Sequence, residues 1–299
     1  MIKLGMIGMS EGNGHPYSWG AIINGFNKDS LGECPFPSIP QYLSRHSYDH
    51  NHLDAKVTSI WTQSKQISNS VAKFSNIERI EKNLEDMIPH IDGILLARDD
   101  YQSHLKYAKP FIEAGLPIYI DKPLAVNFKS AEKILDLEKF KGQIFSASSF
   151  VYHPSIQDVA NNISEYGNLK FFNGIAGGPW DRYAIHLIDP LLKIHPKKFD
   201  HVAFSRIDTI STITLRSKSF VANISCLGGI TSPLRLTLVG EKKYIEVDLL
   251  DPYYAFKNTL EVFINNILSK KIIRSKHEIL SSIKLIEHGI EKNYYNSFI

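Results

Sequence analysis

Apolar and polar positions follow two alternating rhythms through the first half of the chain. Residues 3–9 (KLGMIGM) form a compact apolar run, the mark of a strand buried on both faces. Residues 57–61, 91–97, 118–120 and 143–150 repeat that mark. Between them lie stretches with helical spacing. The first is 17–26, with Trp19, Ile22, Ile23 and Phe26 to one side, and 64–74, 101–114 and 127–137 follow. Strands that alternate with helices imply a parallel, doubly wound sheet. Residues 27–54 break the rhythm. Rich in Pro, Ser, Asn and His, this stretch has the texture of a long loop insertion.

The second half has a different texture. Helical spacing over 155–166, a strand over 169–175 and a helix over 183–194 come first. Strand-like runs at 202–208, 212–217, 220–226, 234–239 and 244–247 follow, joined by short turns, which predicts an antiparallel sheet. Helices over 256–268 and 277–291 close the chain. The expected organisation is α/β. A doubly wound dinucleotide-binding domain spans 1–150. An α+β domain with an open, mostly antiparallel sheet spans 151–299.

Composition narrows the class. A length of 299 residues suits two domains, and 43% apolar with 22% charged residues is ordinary for a globular protein. The net charge of +3 is scattered in short pairs such as Lys197-Lys198 and Lys242-Lys243. That argues against nucleic acid, whose partners carry a basic stripe. Two cysteines, Cys34 and Cys226, make no disulfide framework and point to a reducing compartment. No apolar run is long enough to span a bilayer, so the expectation is a cytoplasmic protein without a membrane partner. His46, Asp49, His50, His52 and Asp54 cluster in sequence near Cys34, but loop texture fixes no ligand geometry and no metal is expected there.

Four places carry candidate chemistry. The first strand ends in Gly8 and runs into a polar turn holding Ser10, Gly12, Asn13 and Gly14 before a helix. Such a turn offers backbone amides to a diphosphate, although Ser10 stands where the G-x-G-x-x-G fingerprint has its second glycine. An ordinary strand-to-helix turn is the competing reading. The second strand ends in Thr62, with Ser64 and Lys65 next and no acid to meet a free ribose 2′-hydroxyl. Hydroxyls and a lysine favour the 2′-phosphate of NADP over NAD, unless Lys65 simply faces solvent. After the third strand come Ala97 and Arg98, the arginine reaching a ligand anion or pairing with Asp99 and Asp100. After the fourth come Asp121, Lys122 and Pro123, a charged pair delivered to the carboxyl end of a buried strand, where open α/β sheets bind ligands.

These segments together resemble the Gfo/Idh/MocA oxidoreductases, relatives of glucose-fructose oxidoreductase and inositol dehydrogenase. The resemblance is strongest over 91–125, where His104, Ala114-Gly115 and Asp121-Lys122-Pro123-Leu124-Ala125 match that family's Glu-Lys-Pro block and the helix before it. It continues through Gly177-Gly178, His186-Leu187-Ile188-Asp189 and the run LTLVGEKKYIEVD. The resemblance implies a Rossmann domain followed by an open sheet, with NADP or NAD as cofactor and a carbohydrate as substrate. Lys122 would touch the reacting oxygen and the nicotinamide ribose. His186 would exchange a proton with Asp189 orienting its ring, and Tyr183 would be a relay hydroxyl. The family's acid four residues before the histidine is replaced by Arg182, with Asp181 one position earlier. Self-association through the second sheet is expected. Two rival readings stay open: a glycosidase that uses NAD transiently, and a non-catalytic sugar sensor that binds the cofactor.

Overall fold

Burial on both faces makes the first sheet parallel. The computed structural model describes residues 1–46 and 53–291. Strand β1 (Ile2–Gly8) buries Leu4, Met6 and Ile7, and it lies between β2 (Ala55–Thr62) and β4 (Gly93–Leu96). Leu4 sits in register with Val57 on one side and Gly93 on the other. With β3 (Arg79–Ile80), β5 (Ile118–Ile120) and β6 (Ile144–Phe145) the order is β3-β2-β1-β4-β5-β6, every pair parallel. The order reverses between β1 and β4, so the turns after those strands open onto the classical ligand crevice of such sheets.

The helices that cover this sheet are α1 (His15–Asn24), α3 (Lys65–Phe74), α4 (His104–Glu113) and α5 (Phe128–Leu135). Helix α1 starts two residues before the expected position because Pro16, which lacks an N–H, is well suited to a helix's first turn. The 27–54 stretch is not simply loop. Lys28–Glu33 is a 3₁₀ helix capped by Asn27, and Ser38–Arg45 is α2, which buries Ile39, Tyr42 and Leu43. The strand expected over 143–150 is cut to two residues. The serines at 146, 148 and 149 follow it, and Ser148 caps a 3₁₀ turn over Ser149–Tyr152 by accepting from Phe150 N–H.

The second sheet has the order β12-β11-β7-β10-β9-β8. Its strands are β7 (Leu169–Ala176), β8 (His201–Ile207), β9 (Ile210–Ser217), β10 (Phe220–Cys226), β11 (Arg235–Gly240) and β12 (Tyr244–Asp248). The expected antiparallel pattern holds except at its centre, where β7 and β10 are parallel. Helix α6 (Pro154–Asn161) precedes β7, and α7 (Trp180–Tyr183) and α8 (Ile185–Ile194) follow it. The single helix expected over 183–194 is thus two elements, with the first turn reaching back to Trp180. Leu187 packs on the sheet at Gly174, where an added Cβ would meet its side chain at 2.9 Å.

The chain forms two compact units. One holds residues 1–125, 129–147 and 256–279, the other 126–128, 148–255 and 280–299. A single division at residue 150 therefore misses a return of the chain. Helix α9 (Tyr253–Ser269) enters the first unit from Phe256 onward, and α10 (Lys276–Glu291) begins there. Aromatic packing accounts for the return of α9. Phe263 stacks on Phe145 at 6.2 Å and lies 5.9 Å from Tyr119, itself stacked on Trp19 at 4.6 Å.

Candidate functional site

The first cluster of polar side chains is built on the turn after β1. Gly8 has no room for a side chain, since a Cβ there would lie 2.5 Å from Pro16 Cγ. Gly12 takes φ +76, the left-handed region, with nothing within 4 Å of where its Cβ would be. The backbone is therefore approachable at Gly12. Among the described residues the N–H groups of Glu11, Gly12 and Gly14 make no hydrogen bond. His15 N–H, by contrast, donates to Asn13 Oδ1 at 2.8 Å, and Pro16 has none to offer.

Side chains from three strand ends fix this turn. Gln63, just past β2, accepts from Met9 N–H at 3.1 Å and donates to Met9 carbonyl at 2.6 Å. Arg98, past β4, holds Asp100 with two bonds at 2.8 and 2.7 Å and sends Nη1 to Met9 carbonyl and Gln63 Oε1 at 3.3 and 3.0 Å. Its ring-facing side lies 4.8 Å over Tyr107. Burial opposes ionisation of Asp100, and Arg98 outweighs it, holding the carboxyl below its ordinary range. Ser10 donates to Asp99 at 2.6 Å and accepts from Asp99 N–H at 3.1 Å. Of the two readings of Arg98, pairing with an aspartate is the one observed. The guanidinium braces the turn, and Ala97 is buried at the strand end beside it.

The third strand end is the most charged. Asp121 is fully buried and accepts three hydrogen bonds: from His15 Nδ1 at 2.5 Å, Asn13 Nδ2 at 2.9 Å and Lys122 N–H at 2.8 Å. Burial alone would push its pKa up. The charges of His15 and Lys122 and the bonds from His15 and Asn13 win, and the carboxyl is held at about 2. Lys122 is 7% exposed, and its ammonium makes no hydrogen bond or ion pair among the described residues. A nearly buried ammonium without an acceptor is costly unless a ligand completes it. The Lys122–Pro123 peptide is cis. His104 braces the whole edge: one ring nitrogen faces Leu124 carbonyl at 3.0 Å and the other Arg98 carbonyl at 2.8 Å.

At the end of β2 the expected cofactor contacts are largely spent internally. Thr62 Oγ1 donates to Ser64 carbonyl at 2.6 Å and lies 2.9 Å from Ser68 Oγ, while Ser64 Oγ accepts from Ile67 N–H at 3.5 Å to cap α3. Turn and cap geometry engage Thr62 Oγ1 fully, whereas Ser64 Oγ accepts a single bond and keeps its own hydrogen to donate. Lys65 remains exposed and unpaired among the described residues.

The second cluster belongs to the other unit. Asp189 is buried on α8, accepting from Ser148 N–H at 2.7 Å and from Ser282 Oγ at 2.5 Å. Ser148 Oγ in turn lies 3.0 Å from His186 Nδ1. Asp189 therefore acts on His186 through Ser148, which holds the half-buried imidazole between the edges of Phe150 at 5.1 Å and Tyr183 at 5.6 Å. Tyr183 is 39% exposed, so its ring shields one side of the histidine.

His15, Gln63, Ser148 and Ser282 escaped sequence reasoning. His15 carried a signal in its place before a helix-opening proline in a glycine turn. Asp49, His50 and His52 lie outside the described residues; among the described residues no three His, Cys, Asp or Glu side chains are grouped to hold a metal ion. Cys34 and Cys226 are both buried thiols, pushed up by burial to about 11 and about 12. No described helix is long and apolar enough to cross a membrane.

Residues 40–149 match the model of the GFO_IDH_MocA family, described as an oxidoreductase family with an NAD-binding Rossmann fold. A search of curated protein sequences finds no match. Solved structures share the fold at 13% identity. A putative myo-inositol dehydrogenase from Sinorhizobium meliloti 1021 superposes with a TM-score of 0.76 over 98% of this chain and 97% of its own. A scyllo-inositol dehydrogenase from Lactobacillus casei, with bound NAD(H) and scyllo-inositol, gives 0.71 over 96% and 95%. The UDP-N-acetylglucosamine 3-dehydrogenase GnnA from Acidithiobacillus ferrooxidans gives 0.72 over 96% of each chain. The family match spans residues 40–149, little more than a third of the chain, and begins only after the altered glycine turn. The free amides of Glu11, Gly12 and Gly14 and the unpaired Lys122 ammonium are a donor set that fits a dinucleotide.

Proposed function

We propose that this protein is an NAD(P)-dependent dehydrogenase that transfers a hydride to or from a cyclic polyol, a sugar or a nucleotide-linked sugar. The unpaired, nearly buried Lys122 ammonium within the family-matched segment carries this reading. The amides of Glu11, Gly12 and Gly14 would hold the cofactor's diphosphate, in the turn that Gln63, Arg98 and Ser10 brace. The nicotinamide, when bound, supplies the hydride acceptor or donor. Lys122 then places a positive charge at the substrate oxygen, where negative charge grows as the C–H bond breaks. His186, held by Ser148 and flanked by Tyr183, is the acid–base group that the family resemblance implies, and Asp189 positions it by fixing Ser148.

Between the two cofactors, the internal use of Thr62 leaves Lys65 as the one unpaired cation at the β2 end to meet a 2′-phosphate. That weakens the preference for NADP, and Lys65→Glu distinguishes the cofactors: it should impair NADP use and spare NAD. Self-association through the second sheet belongs to this reading, and light scattering in solution checks it. The activity itself is tested by mixing the protein with NAD+ or NADP+ and a panel of inositols, free sugars and UDP-sugars while following reduced-nicotinamide absorbance. Turnover that disappears in Lys122→Ala, with cofactor affinity reduced far less, supports the proposal. Wild-type rates in that variant refute it.

A further inference from the structure

Two features of the sequence have no part in the reaction so written: the pair Gly177-Gly178, and Arg182 where the family pattern has an acid. They meet in the second unit. A Cβ on Gly178 would lie 2.0 Å from the Tyr183 ring, and one on Gly177 would lie 2.8 Å from Ile230 carbonyl. The missing side chains therefore let Tyr183 and the 228–232 turn each lie directly on the backbone after β7. Gly228 and Gly229 N–H donate to the Gly178 and Gly177 carbonyls at 3.1 and 2.6 Å, which ties that turn to the seat of Tyr183.

Helices α7 and α8 then set what stands beside that ring. Ala184 between them keeps helical backbone angles, φ −57 and ψ −33. Trp180, Ala184, Ile185, Leu187 and Ile188 are buried, and Trp180 Nε1 donates to Ile286 carbonyl at 3.0 Å. The side left open carries Arg182 and Tyr183, both exposed, and the half-buried His186. Residues four apart on helical backbone are neighbours, so Arg182 is rooted about one turn before His186 and next to Tyr183. The packed side of the helix pair fixes all three in one frame.

The charge on this open side is uncompensated. The Arg182 guanidinium makes no hydrogen bond or ion pair among the described residues. Asp181, next in sequence, does not pair with it, and its charge acts on the buried Cys226 thiol. Asp189 is buried and bonded to Ser148 and Ser282, and His186 Nδ1 faces the neutral Ser148 hydroxyl. An acid at position 182 would accept hydrogen bonds from neutral sugar hydroxyls. Arginine only donates, through a planar fork that matches the paired oxygens of a carboxylate or a phosphate. The replacement reverses both the charge and the direction of hydrogen bonding one turn from the acid–base histidine.

We propose that Arg182 is a specificity-determining residue that grips an oxyanion of the sugar, so that the substrate is an acidic sugar, carrying a carboxylate or a phosphate, rather than a neutral polyol. Tyr183, seated on Gly178, offers its ring face and hydroxyl beside that grip. The pair Gly177-Gly178 keeps the ledge clear of side chains. This rests on the hydride-transfer reading, and the experiment separates the two.

The test has two arms on the full chain, each with neutral sugars and inositols set against their uronates, their monophosphates and their UDP-linked forms. In the first, calorimetry without cofactor and with NADH measures binding apart from turnover. Wild type should bind one acidic series about tenfold or more tightly than its neutral parents, by a margin that shrinks as salt rises. Arg182→Gln should lose that margin, and Arg182→Lys, which keeps the charge without the fork, should keep part of it. The series that shows the margin tells carboxylate from phosphate. In the second arm, NAD+ and NADP+ reduction is followed on the same compounds. Arg182→Gln should raise KM for the acidic sugar about tenfold or more while kcat changes by less than about threefold, whereas a merely structural role, disturbing Tyr183 and His186, would lower kcat as well. Equal wild-type affinity for acidic and neutral forms, or an acidic preference that survives Arg182→Gln, overturns the proposal, and turnover of neutral sugars then leaves the hydride reading standing. An acidic preference that Arg182→Gln abolishes, with no cofactor reduction on any compound, upholds the oxyanion site and counts against the hydride reading.

Discussion

Replacing Asp121 with Asn removes one negative charge from the fully buried end of β5 and leaves the side-chain shape intact. The carboxyl is held at about 2 against an ordinary 3.8, chiefly because the charges of His15 and Lys122 outweigh its burial. A depression of that size corresponds to about 2.5 kcal/mol of stability. The sign follows from the depressed folded value. The contribution is fully present above the unfolded pKa of 3.8 and is lost as pH falls through the folded value near 2. Asparagine does not titrate, so the variant carries no such term. The stability gap between wild type and Asp121→Asn should therefore be widest near neutrality and should narrow by roughly 2 kcal/mol as pH is lowered toward 2. Two units make a single global transition unsafe, so hydrogen exchange of the β1, β4 and β5 amides is the better assay. A gap that stays constant with pH, or a variant more stable than wild type at neutral pH, would refute the electrostatic account of this edge.

Other sites give sharp expectations. His104→Ala removes the ring wedged between the Arg98 and Leu124 carbonyls, strips one of these of its N–H donor, and should cost about 1–3 kcal/mol in urea unfolding while raising KM for the cofactor. Arg98→Lys loses the two-pronged grip on Asp100 and the reach to Met9 and Gln63, and should weaken NAD+ binding measured by calorimetry by about tenfold. His195 is buried against Phe220 with no partner for Nε2, and burial, then the charge of Lys197, pushes its pKa down. A lowered histidine pKa gives stability that is present above the unfolded value of 6.5 and lost as pH falls below it. Thermal unfolding of His195→Phe should accordingly be less sensitive to mild acid than that of wild type.

Most of the architecture was legible because burial writes itself into strand and helix periods. The runs at β1, β4 and β5 are apolar on both faces and short, and their length together with the flanking turns marks them as strands of a sheet covered on both sides rather than buried helix. Helix α2 was missed although Ile39, Tyr42 and Leu43 carry helical spacing, because Pro37 and Pro40 and the polar residues around them dominated the impression of a loop. Strand β3 was invisible because its two residues are exposed and carry no pattern. The return of α9 depends on which aromatic surface Phe263 covers, a tertiary choice that its own period does not encode. At the site, Lys122 and Asp121 were found from strand-end logic. Their pairing with Asn13, itself a candidate of the glycine turn, and with His15 was not, since both lie more than a hundred residues away in sequence. Thr62 and Ser64 show what sequence leaves out: hydroxyls at a strand end suit a phosphate in composition, but their local bonds to a tight turn and a helix cap are invisible there.

The central claim is that the Lys122 ammonium awaits a ligand oxygen during hydride transfer. Rapid-mixing absorbance of reduced nicotinamide, with wild type and Lys122→Met run in parallel on the substrate that the panel identifies, tests it most directly. The account predicts that reduced cofactor forms about 1,000-fold or more slowly in Lys122→Met than in wild type in a single turnover at saturating cofactor. Equal single-turnover rates from the two proteins would contradict it.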